Sequence, residues 1–151
     1  PSDSAQLRKK HFNEIIAELS IHKNLNAVSV ECDHLNIGEK LASLDFRKLS
    51  AVVIGGHNLI GGALNFFRKE KIMIPRDISL ICLNDSLLAR SSSPPLTVFI
   101  EPRSEIGEKA VELLENIVAR KIVKYRNVLM TGELIMRKSC ALPKRIRRFE
   151  K

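Results

Sequence analysis

Ile78 to Leu83 is an apolar run that ends on Asn84-Asp85, an amide beside an acid. An amide both donates and accepts hydrogen bonds and a carboxylate only accepts, so the stretch reads either as polar groups presented to a ligand or as a solvated loop. Three other places set polar residues directly after a strand-like run: Cys32 to Asn36 with His34 among them, Gly55 to Asn58 with Gly56 and His57, and Glu101 after "LTVFI". Polar residues at strand ends read as groups presented to a ligand.

Catalytic chemistry finds little support in the same residues. Gly55-Gly56 followed by Gly61-Gly62 superficially suggests a phosphate turn, but neither GxGxxG nor GxxxxGK[ST] fits, and there is no GxSxG nucleophile turn. Cys32, Asp33, His34 and His57 do not make a metal set, because neighbouring strand residues point to opposite faces and no ligand pair at helical spacing accompanies them. No metal, no cofactor and no enzymatic activity are expected. The three cysteines, Cys32, Cys82 and Cys140, are odd in number and widely spaced, which fits reduced thiols in a cytoplasm rather than a disulfide framework.

At 151 residues and 44% hydrophobic, the chain has the size and composition of one globular domain. No apolar stretch approaches the roughly 20 residues of a bilayer crossing, and the N-terminus lacks a basic-then-apolar signal pattern, so a soluble cytoplasmic chain without membrane contact is expected. The formal net charge is +8, of which Lys144, Arg145, Arg147, Arg148 and Lys151 form a basic tail over 143–151. Without a helix-turn-helix pattern or zinc-finger spacing, and with few aromatics to stack on bases, the segment itself is not expected to touch DNA.

The elements that must position these residues follow from periodicity. Leu7, Phe12, Ile15, Ile16 and Leu19 recur at helical spacing behind Ser4 as N-cap. "NAVSVEC" alternates like a strand, "IGEKLASL" is a short helix, and "SAVVI" (50–54) is a β-branched run suited to a buried parallel strand. A glycine turn then enters a helix over about Leu59 to Lys71, Ile78 to Leu83 is a second buried strand, and "LTVFI" a third, halted at Pro102. Ser104 opens the amphipathic "SEIGEKAVELLENIVARK", and "NVLMTGELIM" (127–136) reads as a final strand or bent strand pair around Gly132. Alternating strands and helices of this length mean an α/β fold: a doubly wound parallel sheet with helices on both faces and its ligand beyond the carboxyl ends of the strands.

The order of motifs from "AVVIGGHNLIGG" through "IPRDISLICLND" and "PPLTVFIEP" to "GEKAVELL" resembles the effector-binding core of the lactose/galactose repressor family of bacterial transcription regulators. "PSDSAQLRKKHF", "ECDHLNIGE" and "VLMTGELIMRKSC" are similar to further family elements, so the resemblance spans nearly the whole chain. It implies a periplasmic-binding-protein-like (type I) lobe, in a fragment that lacks both the first half of the N-terminal lobe and the helix-turn-helix head. The C-lobe would occupy about 1–100, the crossover and a helix packing on the N-lobe about 101–125, and a return strand about 127–139, all within a domain of 1–142. A lobe without its first strand is expected to leave a gap at the sheet centre with unpaired backbone groups.

The resemblance also carries the site. Ser4 and Arg8 match a Ser and an Arg of the family on one helical face, His34 replaces a stacking aromatic, and Gly56 and His57 match the first strand-end turn. Asn84 stands where the family has Asp, with Asp85 next to it as a loop cap, and Glu101 stands where the family has Gln. Exchanging Asp for Asn and Gln for Glu moves the acid across the pocket, which would suit pairing of Glu101 with Arg8 or an amine-bearing ligand.

The expected partners are a small sugar-like or nucleoside-like effector, a second copy of the chain through Leu59, Leu64, Phe66 and Phe67, and operator DNA only through the absent head. A dimerisation module with a degenerate pocket and a small α/β nucleotide-binding enzyme stay open as alternatives.

Overall fold

The computed structural model describes residues 3–23, 27–119 and 127–143, with backbone alone for 3–4 and 20–23. Over the described residues the chain runs α1 (Asp3–Lys23), α2 (Ile37–Ala42), β1 (Ala51–Ile54), α3 (Ile60–Lys69), β2 (Ser79–Cys82), α4 (Leu87–Ser91), β3 (Thr97–Ile100), α5 (Arg103–Val118) and β4 (Glu133–Ile135), with a 3-10 turn over His57–Leu59. The far end of the helix expected over 101–125 and nearly all of the basic tail lie outside the described residues.

Four strands form one sheet in the order β1-β2-β3-β4. β1, β2 and β3 are parallel, with Ala51 opposite Ser79, Ile54 opposite Cys82 and Cys82 opposite Val98. β4 runs antiparallel to β3, pairing Val98 with Ile135 and Ile100 with Glu133, so the sheet is mixed rather than wholly parallel. β2 is central, and Ser79, Leu80 and Cys82 on it are buried with Ile81 half-buried. A strand covered on both faces needs a continuous apolar run, which is what "SLIC" supplies.

Parallel strands leave backbone groups to satisfy where their pairing is short. β2 and β3 pair only from Ile81 and Thr97 onward, and residues 137–141 fill the space before that. Leu80 N donates to Ser139 O at 2.9 Å, Lys138 N to Pro95 O at 3.1 Å, and Ala141 N to Ser79 Oγ at 3.1 Å. The Ser139 hydroxyl donates to Leu80 O and accepts from Thr97 N at 2.8 Å, so one wholly buried side chain bridges both strands.

Hydrophobic packing is concentrated on one group of helices. Ile37 and Leu41 of α2, Ile60, Ala63, Phe66 and Phe67 of α3, and Ala89 of α4 are buried with Ile54, Ile78, Leu80, Leu96 and Val98. α1 and α5 contribute no buried side chain among the described residues, and Val111, Leu114, Ile117 and Val118 of α5 stand exposed. The expectation of helices covering both faces is therefore met only in part.

Three local expectations are corrected. "NAVSVEC" forms no strand over its described residues: Val28 is 65% exposed, and β1 has β2 as its sole strand partner among the described residues. Alternation reports a local preference and does not by itself bring a segment into pairing, and β1 stands at an edge of the described sheet. Helix α1 starts at Asp3, which puts Ser4 inside the first turn and not at the cap.

Phe66 and Phe67, expected at a partner surface, are 8% and 1% exposed and close on Phe46, each pair of rings 5.6 Å apart. Their apolar faces are consumed within the chain, while Leu59 and Leu64 are half-buried against the same core.

Candidate functional site

The carboxyl ends of β2 and β3 converge on an open cleft of about 280 Å³ lined by Asn84, Asp85, Arg90, Ile100, Glu101, Arg103 and Ser104. Two of the expected residues, Asn84 and Glu101, thus share one cavity although 17 positions separate them in "NDSLLARSSSPPLTVFIE". Parallel strands produce this, since each delivers its following residue to the same end of the sheet. Asn84 is half-buried and Glu101 exposed.

Asp85 does more than cap a loop. Its side chain is 8% exposed and takes Arg137 through both oxygens, Nη1 to Oδ1 at 3.0 Å and Nη2 to Oδ2 at 2.9 Å. Arg90 Nε adds a further bond to Oδ2 at 2.8 Å, and Ser86 N donates to Oδ1 at 3.0 Å. The hydrogen bonds from Arg137 are the main reason that the Asp85 carboxyl sits below its ordinary pKa; burial opposes them and Arg90 assists. The cap is Ser86, whose Oγ accepts from Ala89 N at 3.1 Å and starts α4 inside what reads from sequence as a plain serine-rich loop.

Glu101 meets Arg103, with Nε and Oε2 3.8 Å apart and both side chains well solvated. Arg8 reaches the end of β1 instead, where Nη1 donates to Gly55 O at 2.7 Å. That places Arg8 at the same end of the sheet as Asn84, because Leu83 N donates to Ile54 O at 2.9 Å and so sets Gly55 and Asn84 at neighbouring strand ends. The expected pairing of Arg8 with Glu101 gives way to these two separate partners.

Gly56 is half-buried in an extended conformation (φ −145°), so it is not held there by a left-handed backbone. A Cβ at Gly56 would press on the Asn58 side-chain amide instead. His57 opens the 3-10 turn and is exposed. His34 is exposed on a turn that Asp33 organises, its Oδ1 accepting from Leu35 N and Asn36 N at 2.8 and 2.9 Å while Asn36 Oδ1 takes Asp33 N. The side chain of Ser4 lies outside the described residues.

Among the described residues no three of His, Cys, Asp and Glu come together as a metal site, and no helix is long and apolar enough to cross a membrane. Arg90, Arg103, Ser104 and Arg137 were not singled out by their sequence context. Arg90 alone carried a local signal, a cation five residues after Asp85.

Comparison with known proteins supplies the rest. A family model described as a periplasmic binding protein-like domain matches residues 1–140. The repressor PurR of Photobacterium profundum is 29% identical over 136 residues, 87% of this chain and 40% of that protein. The repressor CytR of Escherichia coli is 37% identical over 83 residues, 54% of this chain and 24% of that protein. The crystal structure of the E. coli transcriptional repressor ascG aligns with a TM-score of 0.74 at 20% identity, covering 93% of this chain and 52% of that one. The chain thus spans about half the length, or less, of these relatives.

Proposed function

The chain belongs to the periplasmic binding protein-like domain family, and we propose that it is the effector-binding segment of a bacterial transcription regulator of the lactose/galactose repressor type, a reading supported by its likeness to the repressors PurR and CytR. In this reading it is non-catalytic, works in the cytoplasm and takes a small hydroxylated metabolite into the cleft at the ends of β2 and β3. Binding there shifts the conformational balance of the full regulator and so its hold on operator DNA, which a separate DNA-binding head contacts. Self-association as a homodimer belongs to the same reading. With Phe66 and Phe67 turned inward, Leu59 and Leu64 remain as the candidate contact on that side.

The observation that carries the proposal is the convergence of Asn84 and Glu101 on one cavity beside a locked Asp85. Asn84 offers a donor and an acceptor, Glu101 an acceptor and Ser104 both, a set that matches vicinal hydroxyl groups. Arg8, Gly56 and His57 stand at the end of β1 and would line the continuation of that surface.

The test is calorimetric titration of the chain with a panel of pentoses, hexoses and nucleosides. Saturable binding by a panel member that is lost in the Asn84→Ala, Glu101→Ala double variant is the expected result. Saturable binding that survives in that variant would move the site elsewhere, and no binding by any member of the panel would overturn the effector reading.

A further inference from the structure

The charges around the cleft do not cancel. Three guanidiniums, those of Arg90, Arg103 and Arg137, stand against two carboxylates, Asp85 and Glu101. Asp85 is already held through both oxygens by Arg137, whose Nη1 also donates to Leu96 O at 3.0 Å. Arg90 therefore adds to a carboxylate that is already neutralised, and it does so through Nε alone. Among the described residues its terminal amino groups have no protein acceptor. Arg103 is similar, since its contact with Glu101 is a 3.8 Å ion pair and not a hydrogen bond. Two forked donors thus border a cavity whose other polar groups are the neutral Asn84 and Ser104, the carboxylate of Asp85 already held by Arg137, and Glu101, which meets Arg103 only across 3.8 Å.

A guanidinium with open N–H groups prefers a planar or tetrahedral oxyanion that accepts two bonds at once. We propose that the cleft takes a hydroxylated ligand bearing an acidic group, a sugar phosphate or sugar acid, with that group on Arg90 and Arg103 and the hydroxyls on Asn84 and Glu101. The proposal rests on the effector-binding reading and narrows its ligand class. Asp85 enters as the positioning residue: gripped by Arg137, it fixes Arg90 Nε and leaves the rest of that guanidinium facing the cleft.

Matched pairs test it: glucose, glucose 6-phosphate and gluconate; ribose and ribose 5-phosphate; and inorganic phosphate alone, each titrated calorimetrically into the chain. The expected result is that an acidic member binds at least about tenfold more tightly than its neutral partner, the scale of one charge-assisted hydrogen bond. That preference should weaken as salt is raised. Comparison of glucose 6-phosphate with gluconate separates a phosphate ligand from a carboxylate ligand.

Arg90→Gln and Arg103→Gln should each reduce the acidic-to-neutral ratio, while Arg47→Gln, which removes one positive charge outside the cleft, should not. Equal affinity for neutral and acidic sugars overturns this inference and leaves the effector reading standing. A preference that persists in both cleft arginine variants overturns it as well, and absence of binding by every sugar overturns both.

Discussion

Arg137 grips Asp85 across 52 residues of chain, Nη1 on Oδ1 at 3.0 Å and Nη2 on Oδ2 at 2.9 Å, with the carboxylate 8% and the guanidinium 18% exposed. Replacing Asp85 by Asn keeps the shape and removes the charge that answers two arginines. We expect a loss of about 3 kcal/mol, the lower end for a buried pair broken on one side, because Arg137 keeps Leu96 O. Urea unfolding at neutral pH measures it.

The same pair makes stability depend on pH in a defined direction. Arg137 holds the folded Asp85 carboxyl below its ordinary pKa, so the unfolded chain binds a proton there first. The contribution is fully present above about pH 4, near the unfolded carboxyl value, and fades as pH falls through the lower folded value. Wild type and Asp85→Asn should therefore converge in stability below that window. Parallel curves down to acid pH would show that the carboxylate contributes nothing.

Ser139 is a single hydroxyl serving Leu80 O and Thr97 N inside the sheet. Ser139→Ala leaves a buried carbonyl and a buried amide without that partner, at a cost of about 1–3 kcal/mol. Denaturant midpoints read the loss, and hydrogen exchange should show the Thr97 amide losing protection in particular.

Phe67→Ala opens a cavity beside Phe46 and Phe66 and should cost about 3–5 kcal/mol, the range for a truncated core aromatic. Since the ring is 1% exposed, the substitution should lower the melting temperature without changing the mass found by light scattering at matched folded fraction. A shift in mass with unchanged stability would return Phe67 to an interface.

Cys82 is 1% exposed on β2, and burial pushes its thiol up to about 11. Alkylation of the native chain at pH 8 should spare Cys82 and reach the half-buried Cys32 and Cys140 first, as peptide mass mapping can show.

What was legible in the sequence was whatever depended on near neighbours. "SAVVI", "ISLICL" and "LTVFI" carry their strands in composition, and the strand-end rule named Asn84 and Glu101, which the fold sets beside one cavity. "NAVSVEC" has as good an alternation as any of them and forms no strand over its described residues, because alternation reports a local preference and does not itself supply a partner's hydrogen bonds. Phe66 and Phe67 show a related limit: helical spacing identifies an apolar face but not whether the chain or a partner covers it. Arg137 was out of reach since nothing within 40 residues marks it as the mate of Asp85, and residues 137–141 were hidden because their bonds to β2 and β3 are largely those of backbone atoms.

That stitch has a consequence for the order in which the molecule can be made. β1, β2 and β3 leave the ribosome well before Ser139, yet the Leu80 carbonyl and the Thr97 amide take hydrogen bonds with its hydroxyl, 59 and 42 residues later. Nascent chains ending short of Arg137 would leave the Leu80 and Thr97 amides without these partners, and the sheet reaches its native state only once residues 137–141 have emerged. Synthesis itself thereby sets the earliest moment at which the cleft beside Asp85 can close around its arginines.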